Sequence, residues 1–173
     1  MCRSDDTMIR FSGLKPGRYN YRFTLDDTFF NRYENDELCG GNVEIAATME
    51  RLEHMLMFSF ELKGELTTWC DRCLGELRIP VDGEEKLCVR FSDTEMSDDE
   101  DVTVLPENAY EIDLAQWLYE YAAVRLPMQH IHPDGGCDPD MLNRIVSEEQ
   151  IEQQRTSSPD PRWDALRELK DDK

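Results

Sequence analysis

Cys70-Asp71-Arg72-Cys73 is the segment of this sequence best equipped for chemistry. Two thiols at this spacing can act as a redox dithiol or supply half of a zinc site, and their surroundings separate the two. A redox pair usually leads into a helix from its second cysteine, which helps to lower the pKa of the first thiol. Here Gly75 and Pro80 come soon after and both flanks read as strands, so the segment reads as a turn between strands, suited to a metal knuckle. A structural zinc ion takes four ligands, and Cys₃His is a common set. The run His130-Ile131-His132-Pro133-Asp134-Gly135-Gly136-Cys137 offers the remainder, and His132 with Cys137 completes the set, His130 being the substitute. Fifty-eight residues separate Cys73 from His132, so only the fold can join the two halves. The plainer reading keeps Cys70 and Cys73 as turn thiols and His132 as a loop histidine. Cys2, Cys39 and Cys88 lack a comparable pattern; Cys2 sits in the N-terminal tail and Cys88 in a strand.

Other chemistry is scarce. The chain has no nucleophile elbow, no glycine loop shaped for phosphate and no His-Glu-x-x-His, so the common motif-bearing enzyme classes lack support. With 38 Asp and Glu residues, carboxylate pairs are expected on solvated faces by chance. No catalytic residue is assigned and a non-enzymatic protein is expected. Thiol-disulfide exchange at Cys70 and Cys73 is the enzymatic alternative, and a generic zinc-stabilised protein-interaction module is the other.

The formal net charge is −19 and it is unevenly spread. Residues 1–90 carry 12 basic and 17 acidic side chains, whereas residues 91–173 carry 7 and 21. No Lys or Arg lies between Arg90 and Arg125. Such a surface repels phosphates and attracts basic proteins at long range, although acidic loops also serve solubility alone. A contact patch for RNA would centre on Arg72 and Arg78 beside the cysteine turn or on Arg162 and Arg167 near the C-terminus; the competing reading pairs these arginines with local carboxylates. No window approaches the roughly 20 apolar residues of a membrane helix, and Met1 to Asp6 lacks the apolar stretch of a secretory signal, so a cytoplasmic protein with reduced thiols and no membrane partner is expected.

The elements that must position these residues are mainly strands. Tyr19, Tyr21, Phe23 and Leu25 share one parity, as do Val43, Ile45, Ala47 and Met49, and then Leu56, Phe58, Phe60 and Leu62, with Arg51 to His54 as a four-residue hairpin connection. One further strand is expected after the cysteine turn and another through Leu87, Val89 and Phe91. Short links between successive strands predict an antiparallel sheet; a curved one is expected, although the links themselves do not show curvature. A helix is expected from an N-cap at Asp113, with Gln116 three residues on, through Leu114, Trp117, Leu118, Tyr121 and Ala122 to a stop at Pro127; a weaker one begins at Asp138-Pro139. The expected fold class is therefore α+β, with the sheet in the N-terminal half and helices mainly in the C-terminal half. Its expected layout is a flexible tail over 1–8, one domain over 9–146 with an acidic loop at 92–101, a polar linker over 147–159 and a docking helix over 160–173. In that last helix Trp163, Leu166 and Leu169 offer an apolar edge.

Three motifs together resemble the YceD-like family of large ribosomal RNA subunit accumulation proteins. They are Cys70-Asp71-Arg72-Cys73-Leu74 after a strand; Ile112-Asp113-Leu114, Glu120, Leu126-Pro127 and the pair His132 and Cys137; and Asp160-Pro161-Arg162 followed by Leu166 and Leu169. Leu14, Gly17, Phe29 and Phe30 fit the family's looser N-terminal half. The resemblance implies a cytosolic, non-catalytic factor needed for accumulation of the large-subunit (23S) rRNA, often encoded beside a large-subunit ribosomal protein. Some relatives carry fewer cysteines, so the resemblance does not by itself imply a zinc site. The expected partner is a large-subunit ribosomal protein or an assembly intermediate, with direct RNA contact left open.

Overall fold

The computed structural model describes residues 7–92 and 102–145. In chain order its elements are β1 (Met8–Arg10), β2 (Gly17–Leu25), α1 (Asp27–Phe30), β3 (Gly40–Arg51), β4 (Met55–Trp69), β5 (Glu76–Phe91), β6 (Val102–Leu105), β7 (Glu111–Asp113), α2 (Ala115–Ala123) and α3 (Pro139–Leu142). Strands β2 to β6 form an open five-stranded sheet in sequence order, and β1 pairs with β7 in a separate two-stranded sheet.

Period-two patterning determines the sheet's two faces. Met49 lies opposite Phe58, Ala47 opposite Phe60 and Ile45 opposite Leu62, and Phe58 lies opposite Leu87 on the next strand. All of these are buried, and Phe29 and Phe30 of α1, Ile9 of β1, and Leu114, Leu118 and Ala122 around α2 close the same core. Each fully buried Phe, Leu or Ile contributes about 1.5–3 kcal/mol relative to an exposed position, which makes any one-residue slip of register prohibitive. The opposite face presents Glu44, Glu61, Lys63 and Glu84 to solvent.

Several expectations are corrected. The two strands expected after the cysteine turn are one, because β5 runs unbroken through Pro80 and Gly83. Proline is tolerated at Pro80 because β6 pairs with β5 only over Cys88 to Phe91, leaving the earlier part of β5 as a sheet edge. The β5–β6 pairing is parallel, so the sheet is mixed, and it is not closed. Thr7 and Met8, expected in the tail, belong to the fold: Met8 opens β1 and the Thr7 hydroxyl donates to Asp113 Oδ1 at 2.6 Å. The β3–β4 connection is Leu52 to His54, Arg51 being in the strand.

Asp113 ends β7 rather than capping α2, whose N-cap is Leu114. Its carboxylate still accepts from the Ala115 N–H at 2.9 Å, but Gln116 reaches forward to Glu120 instead of back to the cap. The weaker helix is present as the single turn α3, with Asp138 as its N-cap accepting from Asp140 N–H. One short helix, α1, lies in the N-terminal half. The tail before Thr7, all but Ser92 of the acidic loop, the linker over 147–159 and the helix over 160–173 lie outside the described residues.

Candidate metal centre

The β4–β5 link, Cys70 to Gly75, is a tight knuckle. The Cys70 N–H donates to Gly75 O and the Leu74 N–H to Cys70 O, both at 2.9 Å. Leu74 holds a left-handed backbone, φ 56°, the lone non-glycine residue to do so among the described residues. A Cβ at Gly75 would stand in ordinary van der Waals contact, 3.4 Å, with Cys73 Sγ.

The second half arrives from the segment after α2. Asp71 N–H donates to His130 O and His130 N–H to Asp71 Oδ2, each at 2.7 Å, so the knuckle and the segment are strapped together. Further back, Arg125 reaches over β5 to donate to Glu84 O and to the Glu85 carboxylate. Gly83 makes room for it: a Cβ there would stand 2.5 Å from the guanidinium carbon. Gly135, at φ +81°, then turns the chain so that Cys137 can face back towards His132.

These two halves bring Cys70, Cys73, His132 and Cys137 together, with all four ligand atoms within 4.8 Å of one another. Cys70 Sγ lies 3.8 Å from Cys137 Sγ, and His132 Nδ1 lies 3.4 Å from Cys73 Sγ and 3.9 Å from Cys137 Sγ. Those spacings fit a tetrahedron with metal–sulfur bonds of about 2.3 Å and a metal–nitrogen bond of about 2.0 Å, whose edges measure roughly 3.5–3.8 Å. His132 Nε2 sits 3.0 Å from Glu76 O, and donating there leaves the Nδ1 lone pair facing the sulfurs. Leu77, Ile79 and Met141 pack around the three cysteines and shield them from water.

The electrostatics of the cluster point the same way. Burial pushes the Cys70 thiol up, but N–H groups of Cys73, His132 and Arg72, together with the His132 ring, outweigh it and bring the thiol down to about 5. Cys73 is lowered by the backbone N–H groups of Asp138 and Gly75. Hydrogen bonding to Cys70 raises His132, whereas burial and the neighbouring sulfurs of Cys70 and Cys73 push Cys137 up to about 11. A third thiolate is thus unfavourable in this pocket unless a cation neutralises the first two, which is what a divalent metal supplies. Three thiols and one imidazole, closed and shielded, form a cluster that could hold a metal ion and whose donor set suits zinc.

The choice between histidines is decided by contacts that spacing does not reveal. His130 turns away from the sulfurs: its Nδ1 lies 3.5 Å from Thr68 Oγ1 and 3.9 Å from Asp71 Oδ1. Asp71 and Glu76 support the site and carry no spacing signal that would have marked them. Cys39 and Cys88 lie apart from the cluster. Of the four arginines expected to form a patch, Arg72 is exposed on the knuckle and Arg78 is exposed and pairs with Glu76 at 3.3 Å. Arg162 and Arg167 lie outside the described residues. Among the described residues no helix is long and apolar enough to cross a membrane.

Residues 58–170 match the family described as large ribosomal RNA subunit accumulation protein YceD. No curated protein and no solved structure matches the chain. The matched stretch starts inside β4, takes in both halves of the cysteine–histidine cluster and covers well over half of the sequence, and on that ground the chain belongs to the YceD family.

Proposed function

We propose that this protein is a non-catalytic factor in large-subunit biogenesis, required for the accumulation of large-subunit rRNA, and that it acts by binding a basic ribosomal protein or an assembly intermediate. The family match over residues 58–170 carries this reading. The charge supports the choice of partner. A chain of net charge −19 with no Lys or Arg from Phe91 to Val124 is poorly suited to a broad phosphate-binding face and well suited to a basic protein. Ribosomal proteins are generally basic, and RNA, with its higher charge density, can compete such a protein away from an acidic holder.

In this reading Cys70, Cys73, His132 and Cys137 hold a zinc ion whose work is structural. Four protein ligands leave no open coordination position for water or substrate, so the ion supplies folding free energy and ties the β4–β5 knuckle to the segment after α2. The thiol-disulfide alternative is disfavoured because Cys73 leads into a turn and then β5, with no helix to activate the first thiol.

Endogenous protein purified at moderate salt tests the reading. Large-subunit ribosomal proteins or assembly factors are expected to co-purify, together with close to one zinc per chain. A metal-free protein accompanied by no ribosomal component would contradict it.

A further inference from the structure

A depression of about 590 Å³ opens beside the knuckle, between the end of β4 and the segment after α2. Two features of its lining bear on what it can bind. Trp69, Val124 and Met128 line it while exposed to 49%, 71% and 102%, an unusual degree of exposure for three large apolar side chains grouped together. Asp36, Glu37 and Asp71 also line it, and no Lys or Arg does. Among the described residues no cationic side chain pairs with Asp36 or Glu37, and Asp71 takes only the His130 contacts. The depression on the polar sheet face is different in kind, because Arg22 and Lys63 interleave there with Glu44, Glu61, Asp82 and Glu84.

The walls are also held in place. Thr68 Oγ1 donates to Glu37 O at 2.6 Å, fixing the Asn35–Glu37 segment to β4, and the Asp71–His130 strap fixes the opposite wall. His130 Nε2 is buried without a hydrogen-bond partner, a polar atom left unsatisfied next to the depression.

We infer that this depression is the docking groove for a basic protein segment in which Lys or Arg residues flank an apolar side chain. The apolar side chain packs on Trp69, Val124 and Met128, and the cations pair with Asp36, Glu37 and Asp71. A phosphate backbone is refused by the same three carboxylates. The inference rests on the proposed binding of a basic partner and names the surface that performs it.

The test uses the full chain, loaded with zinc, and three labelled peptides read by fluorescence anisotropy: one alternating Lys and Arg with Leu, one with the cations replaced by Gln, and one of Lys and Gly only. The first peptide is expected to bind, and each of the other two at least roughly tenfold more weakly. The double variants Val124→Gln with Met128→Gln and Asp36→Asn with Glu37→Gln change exposed or rim side chains, so folding, checked by circular dichroism, is preserved. Each is expected to weaken the first peptide roughly tenfold, whereas Glu44→Gln with Glu61→Gln on the polar sheet face changes it by less than about twofold. Equal losses in the two carboxylate pairs would reduce the effect to general charge and overturn the groove, as would absence of binding by the first peptide. Removal of residues 146–173 is a separate arm; a tenfold gain in affinity there would assign the groove to the chain's own C-terminal segment and overturn the inference. Large-subunit rRNA is measured in cells carrying the same groove variants and in a gene deletion. Normal rRNA with the groove variants and depleted rRNA in the deletion sinks the groove alone. Normal rRNA in the deletion sinks the functional reading, whatever the peptides do.

Discussion

At the scale of single residues, the site turns on which histidine faces the sulfurs. His132 points Nδ1 at Cys73 and Cys137, while His130 is engaged with Thr68 and Asp71. His132→Ala is therefore expected to lose bound zinc, measured by elemental analysis of the purified protein, and to melt well below wild type. His130→Ala should keep its zinc; the reverse pattern would move the ligand assignment to His130. Leu74 offers a second prediction, independent of metal. It holds φ 56° with its side chain 66% exposed, so little packing is lost on substitution. Leu74→Gly should be near neutral in urea unfolding, because relief of left-handed strain and the added chain entropy of glycine, each about 1 kcal/mol, offset one another. Leu74→Val should cost about 1 kcal/mol or more, since a β-branched side chain tolerates this backbone poorly. The Cys-x-x-Cys pair and its partners in the His130 to Cys137 run are legible in the sequence, for donor type and spacing are local. What selects His132 is not: it depends on the Glu76 carbonyl at the start of β5, far away in the sequence.

At the scale of elements, β4 and β5 are the frame from which the knuckle hangs, and their registry sets where the cysteines lie. Gly64 marks how closely the chains approach: a Cβ there would fall on the Asn42 carbonyl and 2.7 Å from Val43 Cα, backbone atoms that cannot yield as a side chain can. Gly64→Ala is expected to destabilise the fold by about 2 kcal/mol or more in chemical denaturation, and a neutral outcome would contradict the close approach. The strands of the first half are legible because one face meets the core and the other meets water, so polarity alternates along them. β5 is only partly legible, as Pro80 and Gly83 resemble breaks in a sequence read locally. Proline survives there because that stretch is an edge, and at Gly83 the Arg125 guanidinium lies over the backbone where a Cβ would stand. The parallel partner β6 and the short pair β1 and β7 escape a local reading altogether, for strands of three or four residues hold too few alternations to distinguish from loop.

For the molecule taken whole, the uneven charge favours a basic partner over a phosphate backbone in the proposed reading. Purified protein is expected to bind a basic large-subunit ribosomal protein with an affinity that falls steeply as salt rises, and to bind naked ribosomal RNA poorly. Titrations of both ligands at two ionic strengths would check this, and tight salt-sensitive binding to RNA alone would reverse the mechanism. If a binding protein of the YceD family supports accumulation of the large-subunit rRNA, its loss is felt in cells of the source organism. The ratio of large-subunit to small-subunit rRNA should be measured after deletion of the gene and after its restoration. The ratio is expected to fall on deletion and to recover with the wild-type gene; an unchanged ratio in the deletion strain would overturn the proposed function.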